Sequence, residues 1–146
     1  MAQKVILLVE DNEDDEIMTV RSLREGGFRG EVAVARDGQE ALDWLFGEGE
    51  HAGRDAGERP AVVLLDIRLP KVSGLHVLET IRRDTRTRHV PVVMLTSSDE
   101  QHDLLRSYDL YANSYIRKPV TLAEFQKVMQ SLGIYWTEFN RAPARR

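Results

Sequence analysis

Three unbroken apolar runs constrain this chain more than any other feature. They are Val5-Ile6-Leu7-Leu8-Val9, Ala61-Val62-Val63-Leu64-Leu65 and Val90-Pro91-Val92-Val93-Met94-Leu95. None alternates apolar with polar residues, so each predicts a strand covered on both faces, as in a parallel sheet. Glu31-Val32-Ala33-Val34-Ala35 does alternate and predicts a strand nearer an edge, and Ser114-Tyr115-Ile116-Arg117 supplies a short fifth. Helical patterns fill the intervals. Asp14 to Glu25 groups Ile17, Met18, Val20 and Leu23, and Gly26-Gly27 stops it. Gln39 to Phe46 and Gly74 to Asp84 follow. Glu100 to Tyr111 carries Leu104, Leu105, Tyr108, Leu110 and Tyr111 as its apolar side. Thr121 to Leu132 opens on Thr121 and Glu124 at capping-box spacing. Strict alternation of strands and helices predicts a doubly wound α/β fold. Its core is a five-stranded parallel sheet of order 2-1-3-4-5 with right-handed crossovers and five helices.

At 146 residues the chain fits one domain, taken here as residues 1–136. Residues 137–146, with Arg141, Arg145 and Arg146 against Glu138, read as a basic C-terminal tail. Gly47 to Pro60 is rich in glycine and charge, has no apolar anchor, and reads as an exposed loop. The absence of cysteine excludes disulfides, thiolate metal sites and cysteine nucleophiles. His51, His76, His89 and His102 are never three to five residues apart, so no local histidine metal pair exists. No apolar run approaches the ~18 residues of a membrane span, and the start lacks a secretory h-region. A cytoplasmic protein is expected. The net charge of −4 disfavours bulk nucleic-acid binding.

In a sheet of this kind, ligands sit beyond the carboxyl ends of the strands. Glu10 and Asp11 follow the first run and Asp66 the third. Thr96, Ser97 and Ser98 close the fourth, and Lys118-Pro119 follows the fifth. Three carboxylates gathered at one edge raise one another's pKa values unless a cation joins them. An all-oxygen donor set without His or Cys points to Mg²⁺ or Mn²⁺ rather than zinc. The lysine offers a point charge and the Thr96 hydroxyl a donor for phosphoryl oxygens, and a carboxylate can itself be the nucleophile. Asp66, on the central strand, is that nucleophile. Asp14, Asp15 and Glu16 read instead as helix-start acids that complement the macrodipole.

With these residues in place, the chain resembles the receiver domain of two-component response regulators, whose fold is flavodoxin-like. The matching motifs are Val9-Glu10-Asp11-Asn12, Asp66-Ile67-Arg68-Leu69-Pro70 with Ser73-Gly74-Leu75, Leu95-Thr96-Ser97-Ser98, and Tyr115-Ile116-Arg117-Lys118-Pro119. They span roughly residues 4 to 132. The resemblance implies phosphotransfer from a sensor histidine kinase to Asp66. Mg²⁺ would be held by Asp11 and Asp66, by Glu10 through water, and by the Arg68 carbonyl. Lys118 would pair with the phosphoryl group, and the Lys118–Pro119 bond would be cis. Thr96 would move toward the phosphoryl group and Tyr115 would fill the space it leaves. Arg68 departs from the family's usual small or polar residue, and its side chain is expected either to shield the acyl phosphate or to point into solvent.

Such a protein is a phosphoacceptor that takes part in its own phosphorylation and dephosphorylation, not a classical enzyme. The chain runs only briefly past the fifth helix, so output is expected through a partner, a second copy or onward transfer. Phe125, Met129, Tyr135 and Trp136 are expected to line a homodimer interface. The long second loop and Tyr-Trp tail also resemble stand-alone regulators of bacterial phytochromes. A dehalogenase-type phosphatase would carry its nucleophile after the first strand, and a flavodoxin would have a glycine- and hydroxyl-rich loop there. The remaining alternative is a non-phosphorylated pseudo-receiver acting as an interaction module.

Overall fold

The β-branched runs become strands because their side chains find apolar cover on both sides. The computed structural model describes residues 4–97, 101–118 and 121–143 of the chain. Ser98, Glu100, Arg145, Arg146 and Pro119, and with Pro119 the expected cis bond, lie outside them. Strands β1 (Val5–Val9), β2 (Glu31–Ala35), β3 (Val62–Leu65), β4 (Val92–Thr96) and β5 (Ser114–Arg117) alternate with five helices. These are α1 (Glu13–Glu25), α2 (Gly38–Phe46), α3 (Gly74–Arg83), α4 (Gln101–Asp109) and α5 (Leu122–Ile134). All pairings are parallel and the order is β2-β1-β3-β4-β5, as the alternation predicts. The alternating strand β2 is indeed an edge.

The two-residue period of β1 divides the core into two layers. Leu7 and Val9 join Leu65, Met94, Trp44 of α2, and Val77 and Ile81 of α3 on one face. Ile6 and Leu8 join Leu64, Leu95, Leu23 of α1, and Phe125 and Met129 of α5 on the other. Phe125 and Met129 are therefore interior residues, 3% and 0% exposed, and not the surface residues that the expected interface calls for. Four apart on α5, they share the stripe that the helix turns to the sheet. Trp136 also packs on this layer, edge-on to Tyr135 at 4.9 Å between centroids, while Tyr135 is exposed. The helical path continues past α5 as a π-type turn over Tyr135–Phe139, which crosses the expected boundary at residue 136.

Helix α4 departs further from its pattern. Leu105, Tyr108 and Tyr111 are exposed, and the buried positions are Asp103 and Ser107. Periodicity locates a stripe but does not say which way it faces. Here the inward line is polar, because Arg68 gives Asp103 a partner at 3.3 Å and Ser107 Oγ donates to the Asp103 carbonyl at 2.8 Å. Ile17 of α1 is likewise exposed.

The 47–60 loop does have an anchor. The Arg54 guanidinium lies 3.4 Å over the Trp44 ring, donates to the Trp44 carbonyl at 2.8 Å, and also bonds the Glu58 carbonyl. Arg54→Ala is expected to cost about 1–2 kcal/mol and to open the loop to proteases, because stacking and two carbonyl bonds vanish together. Arg54→Lys is not expected to rescue, since an ammonium has no planar face to stack. Urea denaturation and limited proteolysis read both effects.

Candidate functional site: an acid pocket and its lysine

Backbone ladders that run one residue beyond the strands place the key side chains. Glu10 N–H donates to the Ala35 carbonyl at 3.0 Å, Asp66 N–H to Val9 at 3.2 Å, and Lys118 N–H to Thr96 at 2.8 Å. The strand ends are therefore held as firmly as the strands. Gly74, first residue of α3, presses against the backbone of Asp66 and donates to the Ile67 carbonyl at 2.8 Å. Asn12 caps α1, its side chain accepting from Asp15 N–H at 3.0 Å.

The structure brings together most of the residues singled out from the sequence. Carboxylate oxygens of Glu10, Asp11 and Asp66 lie within 4.8 Å of one another, with Asp11 exposed and the other two buried. Lys118 Nζ donates to Glu10 Oε2 at 2.8 Å and to Asp66 Oδ2 at 3.3 Å. Asp66 Oδ1 accepts from the Arg68 backbone N–H at 3.2 Å. Thr96 is buried at the end of β4, beside β3 and β5. Tyr115 is half-buried against the layer that holds Val92 and Met94. The Arg68 side chain reaches away to Asp103 of α4, so the expected shield over Asp66 is not its resting position.

One member escaped sequence reasoning. Asp15, assigned above to the helix dipole, bonds Lys118 Nζ at 2.8 Å. A signal for it existed. Asn12 and Asp15 stand at N-cap and N3, the spacing at which an N3 side chain points back over the preceding strand end.

Burial sets the electrostatics. Glu10 is 2% exposed. Burial raises its pKa above the usual carboxylate value, and the Asp66 charge adds to this, against the pull of Lys118. Burial alone would lower the Lys118 pKa, but its bonds to Asp15 and Glu10 and the Asp66 charge outweigh that and hold it above the ordinary lysine value. Three carboxylates, Glu10, Asp15 and Asp66, thus share one ammonium, and Asp11 joins two of them in the acid cluster. Their all-oxygen donor set fits a hard divalent cation.

A raised folded pKa on an acid means stability that is present below the unfolded pKa and is lost as pH rises through the folded one. The metal-free chain is therefore expected to lose melting temperature to Glu10 as pH climbs from the usual carboxylate range upward. Mg²⁺ is expected to restore it, and more at about pH 8 than at about pH 5, since lower pH favours the protonated Glu10. Thermal melts with and without MgCl₂ test this. An equal effect at both pH values would refute it.

Fold and site together define a class: an α/β domain with an acid pocket at the carboxyl edge of its sheet. The chain belongs to the response regulator receiver domain family, whose sequence profile matches residues 6–130. It is 42% identical over 139 residues to the probable methanogenesis regulatory protein FilR2 of Methanothrix harundinacea, covering 95% of this chain and 87% of that one. It is 36% identical over 141 residues to response regulator Rcp1 of Synechocystis, covering 97% and 94%. The Mn²⁺-bound structure of Rcp1 superposes with a TM-score of 0.88 at 35% identity, over 97% of this chain and 99% of that one. The bacteriophytochrome response regulator AtBRR is 49% identical over 97% of this chain and 100% of its own, with a TM-score of 0.76. No helix among the described residues is long and apolar enough to cross a membrane.

Proposed function

We propose that this receiver domain accepts a phosphoryl group on Asp66 from a sensor histidine kinase in the cytoplasm, in a Mg²⁺-dependent reaction. The single observation that carries the proposal is the Lys118 ammonium, bonded at once to Glu10, Asp15 and Asp66 from separate segments of the chain. Asp11 and Asp66 would hold the metal, with Glu10 through water and the Arg68 carbonyl completing the set. When bound, the ion supplies positive charge for the phosphoryl oxygens and the acids.

An Asp66 carboxylate oxygen bonds to phosphorus as the bond from phosphorus to the donor's nitrogen breaks, and the imidazole leaves. Lys118 and the Thr96 hydroxyl then donate to phosphoryl oxygens, and Asp66 stays fixed through its backbone bond to Val9. Thr96 drawn toward this charge frees room that the half-buried Tyr115 takes, a local charge biasing a two-state element. The 49% identity to a bacteriophytochrome regulator supports a light-responsive kinase as the donor. Output passes to a partner protein, to a second copy or by onward transfer. Exposed Tyr135 and the outer face of α4 offer the apolar surface for a homodimer. Sedimentation that shows only monomer at high micromolar concentration, with and without phosphodonor, removes that part.

The central test is acetyl phosphate with Mg²⁺, followed by intact-mass measurement. One phosphoryl group is expected on the native chain, none on Asp66→Asn and none in chelator. An unlabelled native chain that still binds Mg²⁺ would leave a pseudo-receiver, an interaction module read without phosphorylation.

A further inference from the structure

Asp15 takes no part in the phosphotransfer set out above, yet its carboxylate holds the lysine that must meet the incoming group. An ammonium has three N–H donors. On Lys118 they go to Glu10 Oε2 at 2.8 Å, Asp15 Oδ2 at 2.8 Å and Asp66 Oδ2 at 3.3 Å. A phosphoryl oxygen arriving on Asp66 needs one of them. Solvation decides which carboxylate yields. Glu10 is buried, and stripping its cation would leave an uncompensated interior charge. The Asp15 side chain is 29% exposed, so water replaces the lysine there at small cost. Its backbone bond to Asn12 keeps it within reach to take the lysine back.

We propose that Asp15 is a positioning residue that competes with the phosphoryl group for Lys118. It draws the ammonium away from Asp66 while the site is unmodified and releases it when a phosphoryl group arrives. The proposal rests on Asp66 being the phosphoacceptor.

The competition has two consequences of opposite sign. Without the Asp15 charge, Lys118 turns wholly to Glu10 and Asp66 and contests those acids more strongly with a divalent cation. The same freed ammonium is more available to an anion seated on Asp66. A general loosening of α1 would weaken both kinds of binding, so the two readouts separate competition from structural damage.

The experiment uses the full chain as wild type, Asp15→Asn, Asp15→Glu and Asp14→Asn. Mg²⁺ alone is titrated by calorimetry, and beryllofluoride, a phosphoryl mimic, by fluorine NMR at saturating Mg²⁺. Asp15→Asn is expected to bind beryllofluoride about three- to tenfold more tightly and Mg²⁺ alone about two- to threefold more weakly. Asp15→Glu, which keeps the charge, is expected within about twofold of wild type on both. Asp14→Asn removes the same charge from the neighbouring exposed position and is expected to match wild type, since exposed charges are screened. Beryllofluoride affinity unchanged or weakened in Asp15→Asn overturns the competition, and so does an Asp14→Asn effect of equal size. A wild-type chain that binds Mg²⁺ but no beryllofluoride overturns the phosphoacceptor reading itself, and this proposal with it.

Discussion

Gly74→Ala is expected to lower stability by about 2–4 kcal/mol and to slow phosphorylation of Asp66 by about 10- to 100-fold. A β-carbon at this position would stand 2.0 Å from the Asp66 carbonyl oxygen, 2.7 Å from Ile67 Cα and 2.8 Å from the Asp66 carbonyl carbon. All three are backbone atoms, so no rotamer change relieves the clash. Helix α3 must retreat, which strains the Gly74 N–H bond to Ile67, or the Asp66 backbone must shift and carry its carboxylate away from Lys118. Either route couples a packing defect to the chemistry. For a chain of this size the loss corresponds to a fall in melting temperature of roughly 5–15 °C. Gly53→Ala is the control. A β-carbon there meets nothing within 4 Å, and the change is expected to stay within about 0.5 kcal/mol. Urea denaturation and acetyl-phosphate labelling of both variants check this, and a Gly74→Ala chain as stable as Gly53→Ala would refute the close-approach argument.

Lys118→Met is expected to cost about 3 kcal/mol in the metal-free chain near neutral pH, because it leaves Glu10 and Asp66 buried together without a cation. The sign of the pH dependence follows from Glu10. Lys118 is what opposes the upward push of burial and Asp66 on that carboxyl. Without it the Glu10 pKa rises further, so stability present at low pH is lost progressively as pH climbs through the raised value. The gap between variant and wild type is thus expected to be smaller at about pH 5 than at about pH 8, since lower pH favours the protonated Glu10, and to shrink again in saturating Mg²⁺. Lys118 itself, with its pKa raised, contributes stability that is complete below the ordinary lysine value and is lost only as pH rises beyond it. Denaturation midpoints at the two pH values, with and without MgCl₂, give the comparison. A gap that does not depend on pH would mean that the lysine acts through packing alone.

Much of this site was legible because a doubly wound sheet turns strand ends into an address. Once Val5–Val9, Ala61–Leu65 and Val90–Leu95 read as buried parallel strands, Glu10, Asp11, Asp66 and Thr96 had to meet at one edge, and the structure places them there. Side-chain direction was harder to read. The apolar positions of α4 were visible, but not that Leu105 and Tyr108, with Tyr111 just past the helix, face outward while Asp103 turns in to Arg68. Phe125 and Met129 looked like spare interface residues because a helical stripe of α5 does not announce which side meets the sheet. Arg54, in a loop without a large apolar residue, could not be paired with Trp44 from spacing alone.

Local patterning by itself determined the strand and helix order, the parallel sheet and the strand-end group of Glu10, Asp11, Asp66 and Lys118, since these follow from period, burial of continuous runs and the few polar residues left at strand ends. Only the tertiary structure decided that Asp15 belongs to Lys118, that Arg68 belongs to Asp103, and that α5 spends Phe125 and Met129 inside. The physical reason is that such choices rest on which charges and faces meet across long stretches of chain. Their energies are set by burial and distance in the folded state, which no local window of residues contains.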